Sequence, residues 1–166
     1  MECVRLIGRL FFYSTSMTNP TVLKTFLWFP GNMDDALEFY GKTFHNFEIH
    51  SENRPEPDKS RFTADFSIYG HQFIGMNWPG GSPFNDAISL SLNVDGQEEV
   101  DRLWDAITAK GKPGRCGWCE DEFSITWQVS PIQMREHLEN KDPEKAAFAN
   151  EALMKMSKIV IRDLYK

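Results

Sequence analysis

The stretch AISLSLNVDGQEEVDRLWDAI, residues 87–107, changes its period half-way along. In AISLSLNV, 87–94, apolar and polar residues alternate. Ile88, Leu90, Leu92 and Val94 fall on one face and Ser89, Ser91 and Asn93 on the other, as in a half-buried strand. After Asp95-Gly96 the spacing lengthens to three and four residues, so Val100, Leu103, Trp104 and Ile107 form one helical stripe. Glu98, Glu99 and Asp101 lie off that stripe and read as a solvated helix face. Gly111 and Pro113 end the helix. GRCGWCED (114–121) and SITWQVSP (124–131) then read as a hairpin.

The preceding half follows the same order. TVLKTFLWF (21–29) is β-branched and aromatic, and Pro30-Gly31 turns the chain. Met33, Ala36, Leu37, Tyr40 and Phe44 recur at helical steps, with Asn32 placed to cap and Asp34 and Asp35 favourable in the first turn. Strand-like FEIHS follows, then a polar loop, then RFTADFSIY and HQFIGMNW joined at Gly70. The turn PGGSPFND separates the halves. After the second hairpin a helical tail is expected over roughly 131–157, started by Asp142-Pro143 and striped by Ala147, Phe148, Leu153 and Met156. A short strand, KIVI (158–161), is expected to close the chain.

The 166 residues predict one domain of class α+β, spanning 21–166, with module one about 21–78 and module two about 86–166. Residues 1–20 are set apart: MECVRLIGRLFFYSTS precedes Met17 and reads as a disordered leader or a non-native start, with no clear cleavage signal. The net charge of −6, with its scattered lysines and arginines, argues against a nucleic-acid partner. No run of about 18 apolar residues is present, so no membrane-spanning helix is expected. A cytoplasmic location is the expectation.

Cys116 and Cys119 are spaced C-x-x-C, which suits a redox pair or half of a zinc site. On an extended strand, however, residues three apart point to opposite faces. Reactive pairs open helices, and here Glu120, Asp121 and Glu122 follow and oppose thiolate formation. Cys3 lies in the leader, so no second pair completes a zinc site. Two small buried hydrophobes is the favoured reading. The four histidines, His45, His50, His71 and His137, are scattered along the chain and read as surface or hydrogen-bonded residues.

Several stretches together resemble the PhnB-like family of the vicinal-oxygen-chelate superfamily, which includes glyoxalase I, extradiol dioxygenases and bleomycin-resistance proteins. They are LWFPGNMDDALEFYGKTF (27–44), FNDAISLSLNVDGQEEVDRLWDAI (84–107), GRCGWCEDEFSITWQVSP (114–131) and MKMSKIVIRDL (154–164). The resemblance covers roughly residues 21–165. It implies two βαβββ modules whose curved mixed sheets enclose a cavity, usually completed in a homodimer, with a helical C-terminal tail. Such domains also carry the description 3-demethylubiquinone-9 3-methyltransferase. The chain has no G-x-G-x-x-G turn of the kind that holds a nucleoside cofactor, and its glycines sit in turns such as Gly80-Gly81.

Superfamily enzymes hold a divalent ion with His and Glu from four strands. The resemblance places those positions near Thr25, Gly75, Ser89 and Gln128, none of them a strong ligand. No catalytic metal and no cofactor are therefore expected. Asp65, alternating with Thr63 and Ser67, is the best remaining carboxylate, and Asp65 and Gln128 are the candidates to lie near a reacting atom. Thr25, Trp28, Ser89, Ser91, Trp118 and Gln128 are the candidate ligand-binding residues: aromatic walls with a few placed polar groups describe a small-molecule pocket. Trp78 and Thr126 stand near the same strand ends, whereas Trp104 and Trp127 read as core. The expected function is metal-free binding of a small organic molecule. The alternatives are a superfamily enzyme of lyase, isomerase or dioxygenase type and a methyltransferase acting on a quinone precursor.

Overall fold

The computed structural model describes residues 22–165, so the leader expected over 1–20 lies outside the described residues. Module one runs β1 (Thr25–Phe29), α1 (Met33–Thr43), β2 (Phe47–Asn53), β3 (Thr63–Ile68) and β4 (His71–Asn77). Module two runs β5 (Leu90–Val94), α2 (Gly96–Thr108), β6 (Lys112–Pro113), β7 (Trp118–Glu120) and β8 (Thr126–Pro131). Each module folds its four strands into one curved mixed sheet, ordered β1-β4-β3-β2 and β5-β8-β7-β6. The first strand of each is parallel to the last, and the remaining pairs are antiparallel. The expected pair of βαβββ modules is thus present, and in each sheet the first strand is an edge.

The alternation of each strand decides which face is buried. On β1, Leu27 and Phe29 are buried while Phe26 and Trp28 are exposed. On β8 and β7, Trp127, Val129 and Cys119 face inward. α1 closes the inner face of the first sheet so tightly that a Cβ on Gly75 would lie 2.6 Å from Met33 Sδ. Tyr40 of α1 stacks on Phe66 of β3 and meets Trp127 of β8 edge-on, with ring centroids 6.4 and 5.9 Å away. α1 is therefore held between the two sheets. The α2 stripe of Val100, Leu103, Trp104 and Ile107 is buried as expected and joins the same core. One core serves both modules, and the opposite face of each sheet looks away from it.

Four local expectations need correction. Asn32 makes no side-chain cap; instead Asn77 Oδ1, from β4, accepts from the Met33 N–H at 3.4 Å. The strand expected from residue 87 starts only at Leu90, and Ile88 is 75% exposed, because the segment before it lies along β1 rather than in the sheet. The tail is two short helices, α3 (Met134–Leu138) and α4 (Pro143–Leu153), and Ala149 is its buried residue while Ala147 is exposed. Asp142 does cap α4, accepting from Glu144 N at 3.0 Å. KIVI forms no strand: Gln97 bridges it by donating to Ile159 O and accepting from Ile161 N, and a 3₁₀ turn (Ile161–Leu164) follows. A side chain here does what a neighbouring strand was expected to do.

Of the two cysteines, both expected on one strand and buried, only Cys119 lies on a strand, β7, and is buried; Cys116 stands part-exposed in the turn before it. Cys116 sits in a turn at φ 55° and its thiol donates to Leu153 O at 3.4 Å. Cys119 points into the core at 3% exposure, where burial and the nearby Asp121 charge push its thiol up to about 12. A thiol so shifted is neither a redox nucleophile nor a ready zinc ligand near neutral pH.

A candidate small-molecule cleft along the edge of β1

The free edge of β1 borders a cleft of about 370 Å³. Its walls are Phe26 and Trp28 on one side, Phe84 and Ile88 of the inter-module segment on another, and Leu90, Ile125 and Thr126 at the starts of β5 and β8. Edge-strand backbone sends every second residue's N–H and C=O toward the open side, so apolar walls here carry built-in polar points. Thr25, Ser82, Asn85 and Thr126 add side-chain ones, and none of the lining side chains is ionisable.

Sequence pattern explains how these residues meet. Trp28 projects from β1, and its Nε1 donates to Trp78 O at 2.6 Å, which ties β1 to the segment leaving β4. That segment then folds over the indole: a Cβ on Gly81 would lie 2.9 Å from the Trp28 ring. Phe84 is seated edge-on to Phe29, with centroids 5.7 Å apart. PGGSPFND, expected as a mere turn between modules, is thus one wall of the cleft.

The expected site residues divide into three groups. Thr25 and Trp28 line the cleft, and Thr25 Oγ1 shares a 2.9 Å hydrogen bond with His71 Nε2. Ser91, Gln128 and Trp118 stand in one row across β5, β8 and β7, and Gln128 Nε2 donates to Ser89 Oγ at 2.7 Å. This row lies on the outer face of the second sheet and outside the lining of the cleft. Asp65 sits on the outer face of the first sheet, in a 2.5 Å ion pair with Lys24 and a 3.2 Å hydrogen bond from Ser51. The Lys24 hydrogen bond holds its carboxyl below the usual carboxylate range against the opposing pull of desolvation. An acid so held is ionised and occupied, which suits it poorly to proton transfer near neutrality.

The superfamily's metal can be tested against these positions. Gly75 has no side chain and lies under Met33; Thr25 is bound to His71 and Ser89 to Gln128. Two hydroxyls, an amide and a glycine, split between two sheets, do not make a divalent-ion site. Nor do the histidines gather: His50 shares a hydrogen bond with Ser67 and His137 stacks on Tyr165. Among the described residues no three His, Cys, Asp or Glu side chains come together.

Phe84 and Ile125 are not legible as cleft residues in the sequence. Phe26 does carry a signal: it alternates with Trp28 on the face of β1 opposite Leu27 and Phe29. Asp121 stands in an acidic run that gives no hint of burial, yet it is 1% exposed. It accepts from Phe123 N, Ile125 N, Tyr40 Oη and Trp127 Nε1, which fixes the turn that delivers Ile125 and Thr126 to the cleft.

Comparison with known proteins agrees with the architecture. A PhnB protein from Bacillus cereus superposes with TM-score 0.61 at 23% identity, covering 68% of this chain and all of its own. A Pseudomonas aeruginosa protein gives TM-score 0.55 at 21% identity over 68% of this chain and 98% of its own. At these identities the likeness concerns the fold. No curated protein matches the chain. Residues 21–130 match the family described as 3-demethylubiquinone-9 3-methyltransferase, a span that takes in both sheets and stops before α3 and α4. With that match over most of its length and the two βαβββ modules in place, the chain belongs to this PhnB-like family of the vicinal-oxygen-chelate superfamily.

Proposed function

We propose that this protein binds a small organic molecule in the cleft beside β1, without a catalytic metal. The observation that carries the reading is the cleft itself: about 370 Å³, walled by Phe26, Trp28, Phe84 and Ile125, with only neutral polar groups among its lining side chains. Pockets of this size and character hold small ligands. A second copy of the chain completes the site in this reading, as the family resemblance implies. Phe26 and Trp78, 54% exposed, and Trp28, 37% exposed, are the apolar surface a partner would cover.

The methyltransferase description of the family does not fit the cleft. S-adenosylmethionine carries a ribose diol, a carboxylate and a sulfonium. The cleft lining supplies neither a carboxylate for the diol nor a cation for the carboxylate, so methyl transfer has no footing in its side chains.

The test is a thermal-shift screen of small organic metabolites, followed by calorimetry on each stabilising compound with the natural protein and Trp28→Ala. A saturable ligand that binds at least about tenfold more weakly to the variant supports the reading. Binding that ignores Trp28, or no saturable ligand from a broad screen, contradicts it.

A further inference from the structure

Among the described strands β1 has one neighbour, β4. Phe29 stands opposite Asn77, and its carbonyl accepts from Trp78 N at 3.0 Å, so the Phe29 main chain faces β4. A strand turns the N–H and C=O of successive residues to opposite sides. Thr25 and Leu27 therefore share the β4 side with Phe29, while Phe26 and Trp28 turn their main-chain groups to the free edge. That edge borders the cleft, both residues line it, and neither is buried. Among the described residues no hydrogen bond reaches these main-chain groups. The Phe26 C=O and the Trp28 N–H are neighbours on that side, one acceptor and one donor with only Leu27 between them.

From this juxtaposition we infer that the ligand is an uncharged aromatic molecule carrying a primary carboxamide or a lactam. Its N–H donates to Phe26 O, its C=O accepts from Trp28 N–H, and its ring lies against Phe84 and Ile125. A purely apolar ligand would strip water from both main-chain groups and replace neither bond. A carboxylate would set an anionic oxygen against Phe26 O, and the lining holds no cation to pair with it. A strand added by another chain needs the length of the edge clear, whereas Phe84, Ile88 and Ile125 leave a space of about 370 Å³ beside it. This deepens the cleft reading above and rests on it.

Three matched probes test the proposal by calorimetry on the natural protein at neutral pH: 2-naphthamide, methyl 2-naphthoate and 2-naphthoate. The amide should bind about fivefold or more tighter than the ester, which lacks the donor, and about tenfold or more tighter than the carboxylate. With ¹³C,¹⁵N-labelled protein, saturating naphthamide should shift the Phe26 carbonyl carbon and slow exchange of the Trp28 amide proton about tenfold. The ester should leave the Phe26 carbonyl unmoved. Ester or carboxylate binding as tight as the amide, or naphthamide saturation with neither main-chain signal changed, overturns the main-chain proposal. Trp28→Ala separates the two readings: probes that bind without this ranking yet weaken in the variant leave the cleft reading standing. If none of the probes binds, the main-chain proposal fails; if no compound in the screen binds through Trp28, the cleft reading fails with it.

Discussion

Tyr40 of α1 donates its hydroxyl to Asp121, 81 residues away at the turn between β7 and β8, across 3.1 Å in the buried core. Trp127 Nε1 donates to the same carboxylate oxygen at 2.9 Å, while the other oxygen takes the N–H groups of Phe123 and Ile125. One carboxylate therefore joins the two modules and shapes one end of the cleft. Asp121→Asn turns an amide N–H toward the Trp127 N–H, and Asp121→Ala leaves four donors without an acceptor. We expect losses of about 2–4 kcal/mol for Asp121→Asn and more for Asp121→Ala, with about 1 kcal/mol for Tyr40→Phe, by urea unfolding. An unchanged midpoint in Asp121→Ala would contradict the joint.

Gly117 lies at φ +83°, and a Cβ there would stand 2.8 Å from both Ile159 Cδ1 and Val129 O. Its N–H donates to Ser157 O and its C=O accepts from Val129 N, so the tail, the hairpin and this residue lock together. Gly117→Ala should cost the left-handed backbone conformation, about 1–3 kcal/mol, plus the clash with Ile159. Gly70→Ala is the control: φ is +80° there too, but the added Cβ meets nothing within 4 Å. The larger loss in Gly117→Ala, measured in parallel melts, is the expected result; equal losses would show that Ile159 does not pack as described.

Cys119 gives a pH dependence with a definite sign. Its thiol is raised from about 9 to about 12 in the folded protein, first by burial and then by Asp121. The folded chain therefore holds its proton where the unfolded chain has lost it. This contribution to stability is whole below about 9 and is lost as pH climbs to about 12. Cys119→Ala should flatten stability against pH over that range. In native protein at pH 8 iodoacetamide should leave Cys119 unlabelled by mass spectrometry, and urea should expose it. Fast native labelling would contradict its burial.

Legibility in the sequence differs element by element. The period change at Asp95-Gly96 and the stripes of α1 and α2 are legible because each element buries a whole face, which imposes its period on the residues. Cys116 is not legible in this way, because it lies in a turn before β7 rather than on the strand with Cys119. The residues of the cleft are legible only in part. Thr25 and Trp28 can be read from β1, but Phe84 and Ile125 come from a turn and a strand end, where no period applies and tertiary contact alone sets direction. Ser91, Gln128 and Trp118 share a row as their alternation implies, on a face separate from the cleft. KIVI fails as a strand because its backbone partner is the Gln97 side chain, and composition does not report such substitutions.

Whether a ligand occupies the cleft or the outer row of the second sheet is decided by amide chemical shifts. The protein labelled with ¹⁵N is titrated to saturation with the strongest binder of the metabolite screen. The predicted result is a set of perturbations centred on Phe26, Trp28, Phe84, Ile125 and Thr126, which line the cleft. Perturbations centred on Ser91, Trp118 and Gln128, with the cleft unmoved, would contradict binding beside β1.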